Sequence, residues 1–420
     1  PGNSGKYVGH YSPTFFETII ISRVSAGGGG GRSFIAGYDE FNGRLLWQWF
    51  SVPPSGGDPE WDFKDAAKGN INPYPGDWGE NDLIGGGSIF SLVAVDESTG
   101  IIYFPTGAPA LSYDASLRPG PNLYSNSIVA LDANTGKMVW YHQTTPHDIN
   151  GHEPARSLIL ANATINGEER KVILSSTKGD YAYVLDAATG ELLHNPISFG
   201  AQKISAYNTN QGNNADMNLS QDVLEGNEYC PGAFGGAAST SAFADNTFFV
   251  ASQNYCSKFI AGQIPYKEKM INGFRIEPSL AGQSSTVHAI DVSTGQIKWT
   301  FPIESRYQGG ITVSAGVVYL VDISGIFYAL DSETGDVLKK IPMNGAGNTG
   351  VTIASDANGD MRLFVATGGS KSGIITALGL PEESTVDDYG ISRRGIIGSL
   401  ALTSIAGLMY LAFLRFYRKN

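Results

Sequence analysis

Residues 145–153 read TPHDINGHE, and these nine positions hold two histidines, an aspartate and a glutamate. A histidine beside a carboxylate can work as acid and base or hold a metal ion, so His152 and Glu153 are the candidates for chemistry here. The same composition also makes a polar loop. Asp148 reads as a turn cap, since an Asp side chain accepts hydrogen bonds from backbone amides just ahead of it, and His147 reads as structural beside it. A metal, a proton relay or a solvated loop all remain open at this point.

The elements that must position the stretch repeat along the chain. The lines AGYDEFNGRLLW (36–47), VAVDESTGIIYF (93–104), VALDANTGKMVW (129–140), YVLDAATGELLH (183–194), HAIDVSTGQIKW (288–299) and YALDSETGDVLK (328–339) share one plan. Each is an apolar strand, an Asp, turn residues closed by Gly, and a second apolar strand. Asp and Thr can cap the turn, and Gly supplies the positive φ of a tight hairpin. Intervals of roughly 40 to 55 residues match propeller blades, which must stack because one sheet cannot bury both faces. The wide gap between Asp186 and Asp291 leaves room for one more unit around STSAFADNTFFVAS. Trp47, Trp140 and Trp299 recur at one place in the repeat, which suits packing between blades. Residues 51–85 form a Pro-, Gly-, Trp- and Asp-rich excursion.

Composition agrees with a strand-rich chain whose surface is polar but sparsely charged. There are 53 glycines in 420 residues, and only 16% are charged, where an average protein has about 25%. A formal charge of −12 with no basic stripe argues against a nucleic-acid partner. Sparse charge also suits an acidic medium. After Arg393 and Arg394, residues 395–414 run without a charge and are followed by RFYRKN. At 1.5 Å per residue this segment spans about 30 Å, a bilayer core, so a transmembrane helix with a cytoplasmic basic tail is expected. The expected domains are therefore a propeller over 1–370, a linker over 371–392 and a membrane segment over 393–420. Asn162 (NAT) and Asn218 (NLS) are glycosylation candidates on the extracytoplasmic side. Cys230 and Cys256 read either as a disulfide of an exported protein or as two buried thiols.

Taken in order, IYFPTGAP, RPGPNLYSNSIVALDANTGKMVWYHQTTPHD, KGDYAYVLDAATGELL, YCPGAFGG and GGITVSAGVVYLVDISGIFYALDSETGDVL resemble the quinoprotein alcohol dehydrogenases over residues 15–370. The resemblance implies an all-β fold, a β-propeller of an eight-bladed family with six or seven blades' worth in this chain. It also supports the Cys230–Cys256 pairing. Ring closure would then need sequence outside this chain, a second chain or fewer blades. The family carries pyrroloquinoline quinone (PQQ) with a calcium or lanthanide ion held by a Glu, an Asn and an Asp.

Those positions match Gly27–Gly31, Ala108 in PTGA and Gly151 in TPHDING. The stacking Trp is matched by Phe90, a further Asn and Trp by Ala238 and Ser239, and the quinone-binding cation by Lys178 in STKGD. With three side-chain ligands missing from the pattern, the reading is that no cofactor and no metal are bound. PQQ with calcium or a lanthanide is the alternative, and Glu153 falls where lanthanide-using members carry an additional acidic ligand. Three functions follow: a membrane-anchored binding or scaffold subunit of a membrane or cell-surface complex, which is preferred; a divergent PQQ oxidoreductase passing electrons to the membrane; and a cofactor-free hydrolase like the tetrathionate hydrolases. Normal alcohol dehydrogenase activity is not expected. The chain has no CxxCH haem motif, so electrons would leave through another protein.

Overall fold

The computed structural model describes residues 12–26, 31–53, 77–79, 84–110, 112–113, 118–200, 228–266, 269–279, 283–369 and 372–379. The apolar run 395–414, Gly27–Gly30, Asn218 and most of the 51–85 excursion lie outside them. Among the described residues no helix is long and apolar enough to cross a membrane. All regular structure among the described residues is β, in seven antiparallel sheets. The expected all-β, propeller-like fold is the one observed.

The described residues fall into two compact units. The first holds three four-stranded meanders. Their strands are Thr14–Phe16, Ile19–Val24, Phe34–Asp39 and Leu45–Phe50; Ala94–Asp96, Ile101–Pro105, Ser127–Asp132 and Met138–Gln143; and Pro154–Ile165, Glu168–Thr177, Tyr181–Asp186 and Ile197–Ser198. A three-stranded sheet of Glu228–Tyr229, Ser257–Tyr266 and Lys269–Pro278 belongs to it as well. The second unit is built mainly on Ala242–Ala244, Thr247–Asn254, Ser284–Asp291 and Gln296–Ile303, then Thr312–Ser314, Val317–Val321, Ile326–Asp331 and Val337–Pro342, then Thr352–Ser355, Met361–Gly369 and Ser372–Leu378. A four-stranded meander in sequence order is the blade of a propeller. Middle strands such as Ser127–Asp132 are buried almost throughout, whereas Leu45–Phe50 alternates. Clusters such as Ile128, Ala130 and Trp140 with Ile173, Tyr183 and Leu185 join one sheet to the next.

The Asp–Gly repeat forms the turns that its sequence dictates. Asp132 Oδ1 accepts from the amides of Asn134 and Thr135 at 3.0 and 2.8 Å, and Gly136 at φ 68° donates back to the Asp132 carbonyl at 2.8 Å. Asp186 and Asp331 repeat the arrangement. Two expectations about the spacing change. Asp96 turns the first hairpin of the sheet whose last hairpin is turned by Asp132, so six motifs mark five sheets. The stretch STSAFADNTFFVAS is the first hairpin, 242–254, of the sheet that Asp291 completes, rather than an extra blade. A long insertion separates that sheet's halves, which is why the repeat looked gapped.

Each recurring Trp docks on a turn of the next sheet within its own unit. Trp47, Trp140 and Trp299 donate their indole N–H to the carbonyls of Ala133, Ala187 and Ser332, at 2.8, 2.9 and 3.0 Å. Their rings lie so close to Gly136, Gly190 and Gly335 that a Cβ there would come within 2.9 Å of ring atoms. His194 takes the Trp position of the line 183–194, with Nε2 2.8 Å from the Val292 carbonyl. Replacing Trp140 separates the two contributions. Trp140→Phe is expected to cost about 1 kcal/mol, the value of one hydrogen bond. Trp140→Ala is expected to cost about 3 to 5 kcal/mol. The shift of the urea midpoint reads both, and equal costs for the two variants would refute the docking role of the indole N–H.

Candidate active site

Glu153 and Lys178 are brought together by strand register. Pro154 opens one strand and Thr177 closes its antiparallel neighbour opposite it, so the residues just beyond these two ends must meet. The amide of Lys178 donates to the Glu153 carbonyl at 3.1 Å, and the Lys178 ammonium lies 2.5 Å from Glu153 Oε1. The pair is largely shielded, with side chains 20% and 10% exposed. Glu153 Oε2 is buried and has no hydrogen-bond partner among the described residues. A buried acceptor left without a donor is costly, and it marks a place where a ligand's proton or cation would be favoured.

The loop ahead of Glu153 is organised by Asp148. Its Oδ1 accepts from the amides of Asn150 and Gly151 at 2.9 and 3.1 Å, and its Oδ2 from the His152 amide at 2.9 Å and Asn126 Nδ2 at 2.7 Å. Arg118 donates to the Asp148 carbonyl at 2.6 Å and to Asn122 Oδ1 at 2.6 Å. With both oxygens engaged, Asp148 builds the turn and offers nothing to a substrate. His147 Nδ1 lies 2.8 Å from the Gly120 carbonyl, and burial lowers its pKa. His152 is buried, with Nε2 2.9 Å from the Pro231 carbonyl. Burial also depresses its pKa, against the pull of nearby Asp148. The imidazole is therefore neutral and committed to a backbone partner.

Gly151 stands at φ +72°, a conformation that L side chains rarely adopt. A Cβ there would lie 3.2 Å from Ala233 Cβ and 3.3 Å from the Tyr113 ring. An aspartate at this position would be strained and crowded, so the carboxylate that the site does hold stands two residues later.

Several of the other matched positions are linked by backbone contacts. The amide of Gly86 donates to Gly31, that of Gly87 to Ala108, and that of Asn126 to Gly107, at 3.0, 2.9 and 3.0 Å. Half-buried Phe90 lies against Gly107, where a Cβ would come 2.9 Å from its ring. Ala238 follows Gly236, and a Cβ on Gly236 would collide with the Lys178 carbonyl. Ser239 belongs to the other unit, where its hydroxyl donates to the Tyr307 carbonyl at 3.1 Å. Cys230 and Cys256 form the disulfide, with Cα atoms 4.5 Å apart, beside the paired residues Tyr229 and Ser257. Asn162 is exposed on the edge strand Pro154–Ile165.

Sequence reasoning passed over several residues that shape this region. Asn126 holds Asp148, and its own Oδ1 is buried without a partner among the described residues. Asp77 accepts from the amides of Asn122 and Leu123, and burial pushes its pKa up to about 6. Asp180, two residues beyond Lys178, accepts from the Ser252 hydroxyl at 2.6 Å, and burial raises its pKa to about 7. The only signal for it was a carboxylate in KGDY, and its burial depends on Gly200, which leaves no room for a Cβ beside it.

Comparison with known proteins bears on this site. Residues 2–198 match the family described as glucose/ethanol/alcohol dehydrogenase, beta-propeller domain, and residues 279–382 match the one described as outer membrane protein assembly factor BamB. The lanthanide-dependent methanol dehydrogenase of Methylorubrum extorquens is 27% identical over 93% of this chain and 68% of its own. The quinohemoprotein alcohol dehydrogenase of Comamonas testosteroni is 28% identical over 87% of this chain and 54% of its own. A crystal structure of a quinohemoprotein alcohol dehydrogenase from Comamonas testosteroni superposes with a TM-score of 0.71 at 25% identity, over 85% of this chain and 55% of that one. The chain thus spans between about half and two-thirds of the length of these relatives. Their quinone and lanthanide dependence overturns the expectation that no cofactor is bound. That expectation rested on the side chains missing at the matched positions, while Glu153 and Lys178, which the sequence had marked for the alternative, are the pair the fold brings together.

Proposed function

The chain belongs to the PQQ-type β-propellers of the quinoprotein alcohol dehydrogenase family, and from that premise we propose that it is a divergent quinone-binding oxidoreductase acting on an alcohol. The observation that carries this reading is Glu153, whose Oε1 is held by Lys178 and whose buried Oε2 has no partner among the described residues. A carboxylate fixed in this way is an aimed proton acceptor.

The residues present fit a planar, anionic quinone. Lys178 would supply a cation and the Phe90 ring an apolar face, whereas glycines 86, 87 and 107 serve close packing against Ala110, Ser51 and Phe90. The residues present do not supply the three side-chain ligands of the family pattern, because Ala108 and Gly151 carry no side-chain oxygen and a calcium or lanthanide ion draws its affinity largely from charged oxygen ligands. No step here runs through a metal. A bound quinone would supply the two-electron acceptor for the hydride of the alcohol carbon. Glu153 Oε2 takes the hydroxyl proton, Lys178 holds the carboxylate by its other oxygen, and the neutral His152 keeps the loop in register.

The surroundings complete the proposal. The apolar run 395–414 anchors the propeller on the extracytoplasmic side, where the sequons at Asn162 and Asn218 are the glycosylation candidates. A membrane protein takes the electrons onward.

Acid-released small molecules from natively purified protein, measured by mass spectrometry with elemental analysis of the same sample, test the reading. Stoichiometric PQQ is expected, either as isolated or after adding PQQ with and without calcium or lanthanum. Failure to bind quinone under every condition would overturn the proposal.

A further inference from the structure

His152 does something that neither the turn nor the quinone requires. Its Nε2 reaches 2.9 Å to the carbonyl of Pro231, next to disulfide-bonded Cys230. A carbonyl only accepts, so Nε2 carries the proton. The same side chain lies against Gly179, where a Cβ would come 3.2 Å from Nδ1, and Gly179 directly follows Lys178. The His152 amide is tied to Asp148, and its neighbour Glu153 is tied to Lys178. One side chain therefore touches both the disulfide loop and the loop that carries the active-site cation.

The disulfide loop is itself stiffly held. Tyr229 stacks on Phe259 with ring centroids 4.7 Å apart, the Gly232 amide donates to Tyr255 at 2.7 Å, and Gly236 donates to Gln253 at 2.9 Å. Ala233 packs on Gly151, and Gly236 abuts the Lys178 carbonyl. The groups facing the imidazole are Asp148, Glu153, Lys178 and the Tyr229 ring, whose centroid is 6.4 Å away.

We propose that His152 is a positioning residue, the strut through which the Cys230–Cys256 loop fixes Glu153 and Lys178 against each other. Cleaving the disulfide and removing the imidazole N–H then act by one route, and each loosens Lys178. This rests on the proposed function only for its effect on turnover, since the strut exists without a quinone.

Competitive amine labelling of the full chain, with the rate at Lys178 read by mass spectrometry against the exposed lysines, tests it without any cofactor. His152→Phe keeps a flat ring without the donor and is expected to speed labelling of Lys178 about fivefold, the population change that follows the loss of one buried hydrogen bond. His152→Gln, whose amide can reach the same carbonyl, is expected to restore the slow rate. Reducing the disulfide should speed labelling in the wild type and add little in His152→Phe. Unchanged labelling in His152→Phe, or equal increments from reduction in both proteins, would overturn the proposal. If His152→Phe does not fold, His152→Gln and reduction of the wild type still decide, since reduction without effect on Lys178 refutes the strut. Should no quinone bind, the oxidoreductase reading falls and the labelling result stands by itself.

Discussion

Glu153→Gln is expected to lower quinone-dependent alcohol oxidation at least a hundredfold, because a neutral amide cannot take the hydroxyl proton. The same change leaves the Lys178 ammonium without its counter-charge in a mostly shielded place. Breaking a fully buried pair costs about 3 to 5 kcal/mol. Since Lys178 is one-fifth exposed, solvent screening reduces the expected loss to about 2 kcal/mol. Removing both charges in Glu153→Gln/Lys178→Met is expected to recover most of that stability and none of the activity. Gly151→Asp placed in Glu153→Gln is not expected to rescue turnover, because position 151 is left-handed and crowded by Ala233 and Tyr113. Denaturation midpoints and turnover of the four proteins check these expectations. Wild-type turnover in Glu153→Gln would remove Glu153 from the site.

The second large effect concerns acid. Asp180 is 2% exposed and accepts from the Ser252 hydroxyl, and burial raises its pKa from 3.8 to about 7. A carboxyl with a raised folded pKa contributes stability that is fully present below the unfolded value and is lost as pH rises through the folded one. Between pH 8 and pH 4 the proton taken up at Asp180 is therefore worth on the order of 4 kcal/mol in favour of the fold. Asp77, raised to about 6, acts in the same direction. His142 and His288, both lowered to about 4 by burial, act in the opposite direction over the same range. The difference between wild type and Asp180→Asn isolates one group. Asparagine keeps an acceptor for Ser252, so the variant is expected to be more stable than wild type at pH 8, with the gap closing as pH falls toward 4. A pH-independent gap in thermal or urea stability would show that Asp180 is not protonated in the fold.

Much of the architecture was legible because its signals are local. The Asp and Gly of each repeat lie within one turn, and the bonds from Asp132 to Asn134, Thr135 and Gly136 need no other part of the chain. Trp47, Trp140 and Trp299 could be read as packing residues from their recurrence alone. The blade assignment was less secure. Asp96 has the same local signature as Asp132 while turning a different hairpin of the same sheet, and only pairing partners tell the two apart. The insertion between Thr247–Asn254 and Ser284–Asp291 hid a sheet whose halves are far apart in sequence.

The sequence by itself determined the β class, the turn chemistry and the residue types available at TPHDINGHE. Tertiary structure decided which of those residues hold the site and which are free to react. Asp148 is spent on backbone amides and His152 on Pro231, while Glu153 keeps one oxygen unpaired among the described residues. Lys178 meets Glu153 across 25 residues of chain because antiparallel register puts Thr177 opposite Pro154. Local bonds are encoded within a few residues, so a sequence shows them. Burial and cross-strand register are properties of the folded whole, and they set which carboxylate is solvated, capped or left to do chemistry.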